Sequence, residues 1–408
     1  MYTVLFWIII AILVLEFILE KVLDRLNQKN FSTQLPDEVK DVYDAEKYKK
    51  HQEYFWTNQR FGTITGTFSF VVIMLMFFLF GFHFVDSIAQ NFATHPILIA
   101  LLFFGILYIC NEIISLPFEI YHTFVIEQRF EFNKTTPGTF IADQFKGLAL
   151  TTVLGGGIVA LLILIYQSTG EYFWLLGWGV MGGISIFMMM FYSNLIVPLF
   201  NKQKPLEAGE LRDAIEDFCK KAGFKLDNLY VIDGSKRSTK ANAYFSGFGP
   251  KKRIVLYDTL ISSLTTEEIV AVLAHEIGHY KKKHTRTMLV LSLLNSGVLF
   301  YILSLVLDNR DFALALGCSE PSFHINIIVF GILYAPISTL LGIGINILSR
   351  KNEYEADNFA KSYGLAVALG NALKKLSKDS LSNLNPHPAY VFFSYSHPTL
   401  LQRLRNLK

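Results

Sequence analysis

Seven apolar stretches run through the chain, at roughly 2–19, 62–85, 96–118, 147–166, 173–197, 287–307 and 325–348. Each is near the length of about 20 residues that an α-helix needs to cross a hydrocarbon layer about 30 Å thick. Nothing else in the sequence restricts the fold so tightly, because only helices and closed barrels satisfy their backbone groups in lipid. Composition agrees. Of 408 residues, 52% are hydrophobic and only 17% are charged, against roughly 25% charged in soluble domains. The expected class is therefore mainly α, a multi-pass membrane protein with seven transmembrane helices.

The basic residues orient the spans. Thirty-six of the 37 Lys and Arg lie on alternate connections: 20–61, 119–146, 198–286 and the tail from Ser349. The intervening connections carry only Arg310. This alternation puts the N-terminus outside and the 201–286 segment and tail in the cytosol; it also argues against one span being a re-entrant helix. The start, with no basic stretch ahead of its apolar run and no small-residue cleavage site, reads as a retained anchor rather than a signal peptide. A natural division follows: a membrane domain over residues 1–200, a polar segment 201–286, two further spans in 287–348 and a polar tail 349–408. A net charge of +3 and the absence of a basic, aromatic-interleaved stripe exclude a nucleic-acid partner. The three cysteines, Cys110, Cys219 and Cys318, are too scattered for a disulfide framework or a cysteine metal site and read as packing residues.

The chemistry concentrates in His275-Glu276-Ile277-Gly278-His279. On a helix, His275 and His279 project from one face, as two ligands of a tetrahedral zinc require. Glu276 sits beside them, able to reach a water at the metal without ligating it. Thr265-Thr266-Glu267-Glu268 supplies the N-cap and an acidic first turn. A third ligand must come from elsewhere. Glu353 and Asp357, just past the seventh span, share a helix face, with Glu355 turned away. Glu353 is the assigned ligand, and Asp357 the acceptor that would orient a ligand histidine. The alternative is a solvated acidic face beside Arg350 and Lys351. Upstream, Leu229–Ile232, Ala241–Phe245 and Arg253–Tyr257 are short strand candidates. They form either an ordinary hairpin or an edge able to pair with an extended peptide. Glu16, Asn111, Glu112 and Glu119 lie in or near spans, where they either line an aqueous interior or hydrogen-bond between helices.

HEIGH at 275–279, NEYEAD at 352–357, STKANAYFSG at 238–247 and the SHP…R element at 396–403 resemble the integral-membrane CAAX prenyl endopeptidases, type 1. Leu116-Pro117-Phe118, Tyr121, Thr123–Glu127, Phe132-Asn133-Lys134 and Pro198–Lys202 extend the resemblance over nearly the whole chain. It implies seven helices around a chamber, with a gluzincin-like zinc protease subdomain and one zinc held by His275, His279 and Glu353. It implies Glu276 as catalytic base and His397 as a second catalytic residue near the oxyanion. It also implies a substrate strand at Asn242, Ala243 and Tyr244. Arg403 is counted with the substrate-binding residues, on the carboxylate of the peptide or on a structural one. The implied partners are membrane lipid and peptide or protein substrates, lipid-modified ones included; the alternative is a quality-control protease without a prenyl requirement, and further off a non-catalytic transporter or scaffold. The chain departs from the eukaryotic pattern in lacking an evident C-terminal retention signal, large insertions in its outer loops and a glycine within Glu127–Phe132. A bacterial inner membrane and an endoplasmic reticulum membrane are both open.

Overall fold

The structure is a computed structural model that describes residues 3–31, 35–226, 228–246 and 253–408. The head of the first apolar stretch (Tyr2) and the end of the 238–247 run (Gly247) lie outside the described residues. Helix α1 (Val4–Asn30) is capped by Thr3, whose hydroxyl accepts from the Phe6 N–H. It is followed by α2 (Ala45–Phe78), α3 (Gly81–Phe92) and α4 (Pro96–Tyr121). A π-helical turn, His122–Glu127, prolongs α4. Next come α5 (Pro137–Leu150), a second π turn at Thr151–Gly155, and α6 (Gly156–Thr169). After a break at Gly170, where φ is +52°, α7 (Phe173–Leu195) and α8 (Val197–Phe200) continue the chain.

Among the described residues, five helical segments are long and apolar enough to cross a membrane: Ala45–Phe78, Pro96–Glu127, Pro137–Phe200, His284–Ser304 and Phe323–Ser362. The protein is a multi-pass membrane protein. Two of the seven expected stretches fall within the single segment Pro137–Phe200. The first lies in α1, whose second half is interrupted by Glu16, Glu20, Lys21 and Asp24. The second expected stretch runs to residue 85, but α2 stops at Phe78. Phe80 adopts a left-handed conformation (φ 54°), and a Cβ on Gly81 would meet Met76 Sδ at 2.5 Å. The chain can make this tight turn into α3 because position 81 has no side chain.

The polar segment builds a four-stranded sheet from β1 (Gln203–Pro205), β2 (Leu229–Ile232), β3 (Ala243–Ser246) and β4 (Arg253–Tyr257), ordered β1-β2-β4-β3. The β2–β4 pairing is parallel and the outer two are antiparallel, so β3 is an edge. The expected strands at 229–232 and 253–257 occur with those bounds, whereas the middle one starts two residues later than expected. The short β1 has no counterpart among the expected strands; it ends in a proline and carries no alternation to betray it.

Helices α9 (Glu210–Lys221), α10 (Asp258–Ser263) and α11 (Thr266–Lys281) pack on this sheet. Then follow α12 (His284–Ser304), α13 (Arg310–Ala315), α14 (Phe323–Ser362), α15 (Ala366–Asp379), α16 (Pro388–Ser394) and α17 (Leu400–Leu407). Ile215, Phe218, Ile254, Leu256, Leu273, Ile277, Leu369 and Leu407 share one buried core. The tail and the 201–286 segment therefore fold together. A second buried core at the far end of the helices includes Phe6, Phe77, Phe103, Phe173 and Phe323.

Candidate active site and metal centre

Helix α11 begins with a full capping box. Thr265 Oγ1 accepts from the Glu268 N–H at 3.3 Å, and Glu268 Oε2 accepts from the Thr265 N–H at 2.8 Å. Its apolar face, with Ile269, Leu273 and Ile277, is buried, which fixes the rotation of the helix and turns His275 and His279 toward α14. Contact with α14 is unusually close at Gly278. A Cβ there would meet Ala356 Cα at 3.1 Å and Ala356 O at 3.2 Å. This approach sets His275 and His279 against Glu353, one turn before Ala356.

Three donor atoms converge. His275 Nε2 and His279 Nε2 are 3.1 Å apart. Glu353 Oε2 is 3.3 Å from His275 Nε2, and Glu353 Oε1 is 3.3 Å from His279 Nε2. A zinc bound at about 2.0–2.1 Å with tetrahedral angles spaces such ligands about 3.3 Å apart. Among the described residues, buried Glu353 Oε2 has no hydrogen-bond donor, and an unmet buried carboxylate oxygen is costly. The donor set thus fits a divalent metal on both spacing and valence.

The next layer orients these groups. His275 Nδ1 lies 2.9 Å from Asp357 Oδ1, which directs Nε2 and its lone pair inward. His279 Nδ1 faces His284 Nδ1 at 3.0 Å, and His284 Nε2 reaches Glu355 Oε2 at 3.1 Å. Glu355 does turn away from the three converging atoms, and its part-exposed side chain meets His284. Sequence reasoning missed this pair. The signal was a third histidine five residues past His279; Lys283 in a left-handed conformation (φ 62°) folds it back.

Arg403 donates from Nε to Asp357 Oδ2 at 3.0 Å and from Nη2 to Asp357 Oδ1 at 2.5 Å. Its Nη1 lies 3.6 Å from Glu353 Oε2. Of the two carboxylates open to it, the structural one holds it; the side chain is only 12% exposed and is not among the residues lining the cleft described below. Burial lowers the Arg403 pKa, but Asp357 outweighs burial and raises it. Burial likewise lowers His275, and Asp357 and Glu353 outweigh it and raise the imidazole. A metal among the same atoms would displace that proton, since a ligating imidazole is neutral. His397 Nε2 stands 3.3 Å from Glu353 Oε1 on a largely exposed side chain.

Glu276 and His279 line a cleft of about 870 Å³, together with Asn242, Tyr244, Tyr257 and Tyr280. The Tyr257 N–H donates to Asn242 O at 3.1 Å, and Tyr244 pairs with Val255. In an antiparallel ladder bonding alternates. Ala243 and Phe245 therefore turn their backbone groups to the open edge, where Asn242 Oδ1 already accepts from the Ala243 N–H at 2.8 Å. The sheet is tied to the membrane helices by two further clusters. Arg237 makes a bidentate pair with Asp143 (2.8 Å for both bonds). Lys240 Nζ meets Glu127 Oε2 at 2.9 Å and Tyr54 Oη at 3.1 Å. Neither pairing was legible from spacing, because the partners are about a hundred residues apart or more.

Residues 25–202 match the family described as CAAX prenyl protease N-terminal, five membrane helices, and residues 205–408 match peptidase family M48. A CAAX prenyl protease 1 homolog of Oryza sativa is 37% identical over 98% of this chain and 96% of its own length. CAAX prenyl protease 1 of Saccharomyces cerevisiae is 33% identical over 94% of this chain and 90% of its own. The crystal structure of S. mikatae Ste24p superposes with a TM-score of 0.94, at 33% identity and full coverage of both chains. The two halves of the chain, the HExxH helix and the matching fold lead to one assignment: this chain belongs to the CAAX prenyl protease 1 family of M48 metallopeptidases and is a membrane metalloprotease.

Proposed function

We propose that this protease uses one zinc ion on His275, His279 and Glu353 to cut peptide bonds near the C-terminus of lipid-modified substrates, inside a chamber formed by seven membrane helices. The observation that carries the reading is the shared cleft: Glu276 and His279 line the same space as Asn242 and Tyr244 of the free edge β3. An extended peptide added to that edge through Ala243 and Phe245 runs past the carboxylate of Glu276.

Bound among these ligands, zinc would supply a Lewis acid for the scissile carbonyl and a water of lowered pKa. Glu276 takes the proton of the attacking water and delivers it to the leaving amine. His397, beside Glu353, donates toward the developing oxyanion. Asp357 holds His275 in the tautomer that presents Nε2, and Arg403 neutralises Asp357 so that the net charge of Glu353 is left for the metal.

Support for seven spans comes from three sources. The segment Pro137–Phe200 has 64 residues, about 96 Å of helix at 1.5 Å per residue, three times a bilayer core; the break at Gly170 divides it into two passes. Helix α1 is 27 residues long. The basic residues alternate in register with seven crossings. Burial is compatible with a chamber: only 6–17% of the residues in the apolar windows are buried within the protein, which leaves surface for both a lipid face and an open inner face. The same charge alternation puts the catalytic side in the cytosol, of a bacterial inner membrane or the endoplasmic reticulum. The division into 1–200, 201–286, 287–348 and 349–408 follows the spans.

The test compares cleavage of one CAAX peptide with and without a farnesyl group, with chelator as control. Faster cleavage of the farnesylated peptide is expected. Equal rates would reject the lipid requirement and favour general quality control. Glu276→Gln keeps the zinc on His275, His279 and Glu353 and loses turnover; retained turnover in that variant would reject the mechanism.

A further inference from the structure

A second cluster of metal-ligating side chains lies at the other end of the helices. His324 opens α14 and Glu353 lies 29 residues further along the same helix, about 44 Å away at 1.5 Å per residue. Around His324 gather His83 and Asp86 of α3 and Cys318 of the α13–α14 connection. His83 and Asp86 are i and i+3 and share a helix face. Cys318 Sγ lies 3.8 Å from His83 Nδ1 and 3.8 Å from Asp86 Oδ2. One donor atom from each of the three falls within 4.8 Å of the others.

We propose that His83, Asp86 and Cys318 form a second metal site, for a thiophilic divalent cation of the zinc class. Zinc bonds of about 2.3 Å to sulfur and 2.0–2.1 Å to nitrogen or oxygen, at tetrahedral angles, put sulfur about 3.6 Å from its co-ligands. Both observed sulfur distances are within a few tenths of an ångström of that, while the His83 and Asp86 donors, within 4.8 Å of each other, close to about 3.3 Å when both bind. The mixed N, O and S donors select zinc-like ions over magnesium or calcium, which take oxygen. The other polar contacts hold the ligands in place. His324 Nε2 lies 2.7 Å from Asp86 Oδ1, and Gln90 Nε2 donates to Asp86 Oδ2 at 2.8 Å. This is the histidine–carboxylate pairing that orients metal ligands elsewhere. Asp86 and Cys318 are each 4% exposed. Among the described residues no lysine or arginine pairs with Asp86; the partner able to carry a positive charge there is His324. His83 is exposed and leaves the fourth position open to water.

The backbone around the cluster is built for close approach. Gly317 has φ +83°, and a Cβ on it would meet Phe80 Cδ1 at 2.5 Å. The α2–α3 turn and the α13–α14 connection therefore already touch, and a cation across His83, Asp86 and Cys318 would clip them together.

The test loads the full-length protein in detergent with cobalt(II) and then desalts it. Two cobalt ions per chain are expected, with a thiolate-to-cobalt charge-transfer band. The site at His275, His279 and Glu353 contains no sulfur and cannot produce that band. In His279→Ala the band persists and the content falls to one. Cys318→Ser abolishes the band and also leaves one; the surface change His83→Ala weakens retention of that ion without disturbing the fold. One ion per chain with no band in the unmodified protein overturns the proposal, as does a band that survives Cys318→Ser, because Cys110 or Cys219 would then be its source.

Discussion

Gly278 and Ala356 are in backbone contact across the α11–α14 crossing, with 3.1 Å left between Ala356 Cα and the place a Cβ on residue 278 would occupy. The residue between the two histidine turns is small because the helix carrying Glu353 has to come that near. Gly278→Ala is therefore predicted to be unfavourable even though alanine is the better helix former. Propensity favours alanine by about 1 kcal/mol, while overpacking a rigid backbone contact costs about 1–3 kcal/mol. The net loss of stability is about 1 kcal/mol, read as a lower thermal midpoint. Metal retention is the more sensitive measure, since any separation of the helices spreads His275 and His279 from Glu353. An unchanged metal content after dialysis against a weak chelator would show the contact to be slack.

Arg403 forks onto Asp357, and both are nearly inaccessible to water. Arg403→Ala is predicted to cost about 3–5 kcal/mol, because it strands a buried carboxylate. Arg403→Lys keeps the charge but not the two parallel bonds, and is expected to fold with weakened metal binding. An effect of Arg403→Lys confined to KM, with metal retention unchanged, would instead assign the guanidinium to the substrate.

The metal helix, its cap and the acidic pair on α14 were legible because each is a local pattern. HExxH, the capping box at Thr265 and Glu268, and the four-residue interval from Glu353 to Asp357 declare their geometry within one or two turns. The apolar stretches were legible for the same reason, but their ends were not. Helix α2 stops early because Gly81 lets the chain turn tightly over Met76 and because Gly317 receives the ring of Phe80, the latter a contact from elsewhere in the fold. Arg237–Asp143, Lys240–Glu127 and His284–Glu355 were invisible to spacing for that reason as well. In each, two ordinary charged or polar residues become partners only after the fold has formed.

Glu268 carries a pH dependence that can be isolated. It closes the cap of α11 and accepts from Lys375 Nζ at 2.7 Å, tying α15 to the start of the metal helix. Burial pushes its carboxyl up, but the Lys375 ammonium and the Thr265 N–H outweigh burial and leave it below the ordinary value. A lowered folded-state pKa means the stabilisation is complete above the unfolded value of about 4.3 and fades as pH falls through the folded one. Glu268→Gln keeps the cap acceptor but loses the charge-assisted bond to Lys375, and is predicted to lose about 0.5 kcal/mol near neutral pH. The gap between the two proteins should close at acid pH. Thermal midpoints of both proteins from pH 7 downward check this; a gap that widens on acidification would reverse the sign.

Ala243→Pro probes the edge strand without touching the metal or Glu276. Ala243 turns its N–H away from β4, so a proline there removes no bond of the sheet, only the local bond to Asn242 Oδ1 that an incoming strand has to displace, and edge positions tolerate proline. The residue does lose the one donor that an added peptide strand could take from that position. A hydrogen bond is worth about 0.5–1.5 kcal/mol net, so cleavage efficiency should fall about 2- to 10-fold, mainly through KM. Metal content and the thermal midpoint should hold. The comparison that gives the result its meaning is Ala243→Ser, which keeps the N–H and should cleave at close to the unmodified rate. If proline and serine behave alike, the peptide does not pair with this edge, and the cleft between β3 and Glu276 must receive its substrate through side chains alone.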